Sequence, residues 1–247
     1  MCLFVWSGAT LRKLETVLNA QAFKVLQPLL TVKGAGQPVC FDADGTLWRG
    51  DVGEDFLRFL VAEDRLPAHR GQRSLYQRYE RIHDVDPVAA YAFAVEAMAG
   101  LEEATLEGWC RDFYQARFAG RLFPFTRPLL DALGAAGYVP WLVSASPRWL
   151  VEAAARALGL AHVIAVDAEV EAGQLTERVR RPVPAGMGKV QRLQQQGIAP
   201  VFAAGNGNLD LPMLEFAQAR LVVAGWDDPG NHLVQTAVER GWPVQRG

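Results

Sequence analysis

The segment Asp42-Ala43-Asp44-Gly45-Thr46-Leu47 sets two carboxylates two positions apart, directly after the apolar run PVCF. One carboxylate of such a pair can attack a phosphorus centre and divide a hydrolysis into two easier displacements. Its neighbour can protonate the departing alkoxide and then activate water. The same letters also form solvated turns or open calcium loops. A calcium loop would need a glutamate at position 12, which is Gly53, and an oxygen ligand at position 5, which is Thr46. That alternative is weak.

Three further segments carry chemistry of the same kind. Leu142-Val143-Ser144-Ala145-Ser146-Pro147 runs from a strand-like stretch into a helix-like one; a hydroxyl and consecutive amides there can hold phosphate oxygens, or a serine can cap the helix. Lys189, in GMGKVQRLQ, opens another helical stretch and could offset charge in a phosphoryl transition state, or be a solvated surface charge. In Ala204-Gly205-Asn206-Gly207-Asn208-Leu209-Asp210-Leu211-Pro212-Met213-Leu214, glycines follow an apolar strand and Asp210 precedes a helix. The oxygen side chains of this segment could ligate Mg2+, which takes one or two carboxylates, waters and phosphate oxygens; an Asx turn with a helix cap is the other reading.

The elements that must position these loops follow from periodicity. Residues 9–30 repeat Leu and Val at three- and four-residue steps and predict one amphipathic helix before the linker-like TVKGAGQP. Stretches 54–63, 73–83, 87–100 and 106–118 predict four helices. After Thr126, read as an N-cap before Pro128, strands at 138–144, 162–170, 200–205 and 220–225 alternate with helices at 148–158, 189–196, 211–217 and 232–241. EVEAGQLTERV predicts a hairpin turning at Ala172–Gly173. The fold class is therefore α/β: a Rossmann-like parallel sheet with helices on both faces, plus an all-helical domain inserted after the first strand. Such an insertion lies over the carboxyl edge of the sheet, where these folds bind ligands. The expected organisation is an extension and linker over 1–37, a core over 38–50 and 121–247, and a helical cap over 51–120.

Composition excludes several classes. Half of the 247 residues are apolar and the formal charge is −2, so the chain folds, and its 25 basic residues against 27 acidic ones make no nucleic-acid footprint. No run reaches the ~18–20 apolar residues of a membrane span. The opening MCLFVWSGATL lacks a basic leader and a cleavage site, so a cytoplasmic location is expected and export is not. Cys2, Cys40 and Cys110 are too scattered for a disulfide framework or a zinc knuckle, and neither HExxH nor GxSxG occurs.

Together, the order and spacing of the four motifs resemble the haloacid dehalogenase superfamily, specifically its phosphoserine phosphatase-like branch with a helical cap. The likeness runs from about residue 38 to the C-terminus, carried by DADGT and GNGNLDLPML, with AGQLT resembling that branch's hairpin. It implies Asp42 as nucleophile and Asp44 as acid/base, with Gly45, Thr46, Ser144, Ala145 and Lys189 as phosphate contacts. It also implies Mg2+ held by Asp42, the Asp44 carbonyl, Asn206 and Asp210. A carboxylate at Asp44 separates phosphatases from the dehalogenases of the superfamily.

One departure stands out: the fourth motif's first aspartate is Asn206 here, which removes a formal negative charge and predicts weaker Mg2+ affinity, or a burden shifted onto Asp210, with activity retained. In phosphoserine phosphatases a glutamate nine residues after the nucleophile binds the substrate's amino group; Asp51 holds that position, with Glu54 one turn on. Either could hold a cationic head such as that of phosphoserine or phosphoethanolamine, or simply favour a helix start. Arg49 would instead favour an acidic substrate. Of the cap aromatics Tyr76, Tyr79, Tyr91, Phe93, Trp109, Phe113, Tyr114 and Phe118, several repeat at helical spacing, so most read as the cap's own core and not a ligand box. The expected activity is a Mg2+-dependent phosphomonoesterase acting on a small phosphorylated metabolite. A phosphotransferase or mutase on the same scaffold, or a non-catalytic phosphometabolite-binding module, are the alternatives. Nothing in the sequence decides the oligomeric state.

Overall fold

The computed structural model describes residues 8–225 and 231–247; the opening MCLFVWS, with Cys2, lies outside them. Six parallel strands form the sheet: β1 (Pro38–Phe41), β2 (Val139–Pro147), β3 (His162–Val166), β6 (Phe202–Gly205), β7 (Ala219–Ala224) and β8 (Val244–Arg246), in the order β3-β2-β1-β6-β7-β8. β4 (Ala168–Glu171) and β5 (Gln174–Val179) make a separate antiparallel hairpin, with Ala172 and Gly173 both at positive φ in its turn. The chain winds outward from β1 through β2 to β3, then returns to β6 on the other side of β1. That reversal opens a crevice at the carboxyl ends of the central strands. β1 is wholly apolar up to Asp42 because both faces of the sheet are covered.

Helices α1 (Gly8–Val17) and α2 (Ala20–Thr31) lead the chain, and α7 (Thr126–Ala135), α8 (Arg148–Leu158), α9 (Met187–Gln195), α10 (Leu211–Phe216) and α11 (Leu233–Glu239) flank the sheet. Between β1 and α7, four helices form the inserted cap: α3 (Val52–Ala62), α4 (Leu75–His83), α5 (Pro87–Glu96) and α6 (Glu103–Arg117). The chain enters and leaves the cap side by side, for Arg49 N–H donates to the Arg121 carbonyl at 3.0 Å. Among the described residues no helix is long and apolar enough to cross a membrane.

Several local expectations are corrected. Residues 9–30 form two helices, because Asn19 accepts from Ala22 N–H as an N-cap while its own amide groups bond Gln245 Oε1 and the Val244 carbonyl. Thr126 does not cap α7; it lies inside the first turn and donates to the Leu47 carbonyl at 2.6 Å. The 162–170 stretch splits at Asp167 into a sheet strand and a hairpin strand, and β8 is a short edge strand that periodicity missed. Leu14, Leu26 and Leu30 are fully buried in the same apolar cluster as Phe41 and Leu133, so the leading helices pack on this chain's own core.

Candidate active site

Four loops meet at the crevice. Asp42 follows β1, Ser144 stands near the end of β2, Lys189 lies in the first turn of α9, and Asn206 and Asp210 flank the turn after β6. Two glycines let these backbones close in. A Cβ on Gly188 would overlap the Val183 carbonyl oxygen, and one on Gly205 would stand 2.5 Å from Asp210 Cβ.

Lys189 is only 2% exposed, and its Nζ donates to Asp42 Oδ1 at 2.7 Å, Asp210 Oδ1 at 2.6 Å and the Val143 carbonyl at 2.7 Å. All three ammonium protons are thereby used. Burial disfavours the amine's charge, but Asp210 and Asp42 outweigh it and raise its pKa. Burial, then the Asp210 charge, pushes the Asp42 carboxyl up to about 7 against the pull of Lys189. With both carboxyls ionised, two carboxylates on one ammonium give this buried cluster a net charge of −1.

Asp44 is held differently. Its Oδ1 accepts from Trp48 Nε1 at 2.8 Å and Val52 N–H at 2.7 Å, and its Oδ2 accepts from Ser146 Oγ at 2.7 Å. Burial raises its pKa, with the three donors working in opposition. Because Oδ1 already takes two N–H bonds, Oδ2 is the oxygen able to carry a proton. Neither Ser144 nor Ser146 caps α8: Ser144 Oγ accepts from Ser146 N–H at 3.0 Å.

A cavity of about 700 Å3 lies over these groups, lined on the core side by Asp42, Asp44, Ser144, Ala145, Lys189, Asn206 and Asp210, and on the cap side by Asp51, Glu54, Tyr79 and Tyr91. Three expected contacts do not line it. Gly45 spends its amide on the Trp48 carbonyl, while Thr46 spends its amide on the Ala43 carbonyl and its hydroxyl on Asp42 Oδ2, so both shape the loop. Arg49 is exposed and outside the cavity. Asp51 does cap α3, accepting from Glu54 N–H at 2.8 Å, and still borders the cavity. Burial, with the Asp44 and Glu54 charges next, raises its carboxyl well above the ordinary range. Motif reading missed Ser146, Trp48 and Asn231, which donates to the Asn206 carbonyl at 2.6 Å. Of these, Ser146 stood inside the second motif without a role and Trp48 four residues after Asp44, while Asn231 carried no signal.

The donor set for a divalent ion can be tested directly. With its amide turned to satisfy its neighbours, Asn206 Nδ2 donates to Asp42 Oδ2 at 3.0 Å, the Asp44 carbonyl at 2.7 Å and Thr46 Oγ1 at 3.0 Å. The reversed amide brings Oδ1 to the same oxygens, giving an all-oxygen set suited to a hard cation. Asp210 departs from expectation. Its Oδ1 takes Lys189 and its Oδ2 takes the Asn206 and Gly207 amides, both at 2.9 Å, so three of its four acceptor sites anchor the lysine and the loop.

The haloacid dehalogenase-like hydrolase family model matches residues 39–215, most of the chain. The chain belongs to that family. Among this hydrolase's relatives, phosphoserine phosphatase SerB1 of Mycobacterium tuberculosis is 26% identical over 216 residues, covering 83% of this chain and 69% of its own. A Bordetella pertussis Tohama I protein of unknown function superposes with a TM-score of 0.70 at 26% identity, covering 85% of this hydrolase and 98% of that chain. A substrate-bound phosphoserine phosphatase shares the fold, with a TM-score of 0.53 at 18% identity over 77% and 87% of the two chains.

Proposed function

We propose that this hydrolase is a Mg2+-dependent phosphomonoesterase that works through an aspartyl phosphate on Asp42 and acts on a small phosphorylated metabolite, amine-bearing in character. The observation that carries the reading is the pair of carboxylates in opposite settings. Asp42 is gripped by Lys189, whereas Asp44 sits among neutral donors, and its Oδ2, bound by the Ser146 hydroxyl alone, keeps a lone pair for a proton. Carboxylates in environments that set their roles apart are how acid and nucleophile are divided within one site.

In the first step the Asp42 carboxylate forms the P–O bond as the bond to the leaving alkoxide breaks, and Asp44 Oδ2 delivers the proton that alkoxide needs. In the second, Asp44 takes a proton from water, water oxygen bonds phosphorus, and the Asp42–phosphorus link breaks. Ser144 and the Ala145 backbone border the phosphate's space. Lys189 holds the nucleophile in place and balances charge. Asp42 Oδ2, the Asp44 carbonyl and Asn206 Oδ1 would hold Mg2+, which neutralises phosphate charge when bound. The name of the mycobacterial relative supports the phosphatase reading.

Phosphate release from a panel of small phosphoesters with Mg2+, with Asp42→Asn alongside, tests this. Release by wild type and its loss on the order of 10^3-fold or more in Asp42→Asn is the expected result. Equal release from both would remove Asp42 from the mechanism. Turnover that rises with an added alcohol acceptor would make the protein a phosphotransferase, and no release from any ester would leave only a binding module.

A further inference from the structure

The cap side of the cavity is one-sided in charge. Asp51, Glu54 and Asp84 border it, and among the described lining residues no arginine does. Lys189, the one lysine there, has its three donors committed to Asp42, Asp210 and Val143. Arg58 stands in the adjoining cleft, bridged to both Glu54 and Asp55 and stacked 4.4 Å above the Tyr76 ring. His83 Nε2 faces the Tyr91 hydroxyl at 3.5 Å. A carboxylate on the leaving group would therefore enter an acidic wall with no uncommitted lysine or arginine among the described lining residues to meet it, and an unpaired buried charge is costly.

A second observation points to what this wall receives. Tyr79 is 3% exposed and lines the cavity, yet its hydroxyl makes no hydrogen bond among the described residues. No buried side-chain oxygen among the described residues lacks a partner, so this hydroxyl opens onto the cavity and is available to a ligand there. Glu54 has one oxygen engaged by Arg58 and Tyr76, and Asp51 has one engaged by the Glu54 amide, which leaves one carboxylate oxygen on each. Two carboxylate oxygens and one phenol oxygen can accept the three protons of a primary ammonium.

We infer that the substrate is the phosphate ester of a small amino alcohol without a carboxylate, its ammonium received by Asp51, Glu54 and Tyr79. This rests on the phosphomonoesterase reading and narrows it: phosphoethanolamine is a substrate of the required chemistry, and O-phosphoserine, differing by one carboxylate, is not.

The test compares kcat/KM for these two esters, with p-nitrophenyl phosphate as a leaving group that has no ammonium, and measures binding of the two esters by calorimetry. Phosphoethanolamine favoured at least ten-fold over O-phosphoserine is the expected result; parity, or preference for O-phosphoserine, overturns the inference. Asp51→Asn keeps an oxygen to cap α3 while removing the charge, Glu54→Gln does likewise, and Tyr79→Phe keeps the ring. Each should raise KM for phosphoethanolamine about five- to ten-fold and draw the two-ester ratio towards one. A ratio unmoved in all three folded variants would place recognition elsewhere and sink the assignment. If none of the three esters is hydrolysed, the phosphatase reading fails, and the calorimetric preference decides the selectivity independently.

Discussion

At the scale of single residues, the site depends on one ammonium shared by two buried carboxylates. Removing Lys189 leaves both unpaired, so Lys189→Met is expected to cost about 3–5 kcal/mol in a urea melt, together with activity. Asn206 governs the ion. Asn206→Asp restores a negative ligand, and the Mg2+ concentration for half-maximal thermal stabilisation should fall at least about ten-fold. Without Mg2+ the same variant should melt below wild type, because a third carboxylate would crowd Asp42 where an amide now donates. Residue type and spacing made Asp42, Asp44, Ser144, Lys189 and Asn206 legible as members of one site. They could not show that Thr46 and Asp210 are already committed, since spacing does not reveal that Thr46 turns back onto Asp42 or that Asp210 is shared between its own loop and Lys189. Tyr79 was read as cap core for the same reason: a helical aromatic pattern does not reveal which hydroxyl is left over.

At the scale of elements, α6 of the cap is bolted to α8 of the core. Glu103 Oε1 accepts from Arg148 Nη2 at 2.7 Å and from Trp149 Nε1 at 3.0 Å, and Arg148 also reaches Asp167 at 2.7 Å. The Trp149 bond, the largest influence, and Arg148 together lower the Glu103 pKa against the opposing effect of burial. A lowered carboxylate pKa stabilises the fold above the ordinary value of 4.5, and the contribution is lost as pH falls below it through the folded value. Glu103→Gln should cost about 1 kcal/mol at neutral pH, and the difference from wild type should vanish in melts taken progressively below pH 4.5. Helices and central strands were legible because the 3.6 and buried-run periods survive in each. The break at Asn19 and the strand β8 were not, because each depends on the other: Asn19 is tied to Val244 and Gln245, more than two hundred positions away.

At the scale of the whole molecule, the leading helices are part of the main core. Leu14, Ala22, Leu26 and Leu30 are buried against it, and exposing the surface they cover would leave a large apolar patch. A chain starting at residue 38 is expected to self-associate in analytical ultracentrifugation and to melt well below the 247-residue protein. The hairpin has a different effect. Gly100 N–H donates to the Leu175 carbonyl, Leu175 N–H to the Leu101 carbonyl, and Glu103 N–H to the Gly173 carbonyl. Core-borne β5 thus stitches the α5–α6 junction down while α3 and α4 border the cavity. The roof is riveted along its α5–α6 junction, so the cap is expected to hold its place over the crevice as a fixed shelf and not to swing away as one piece.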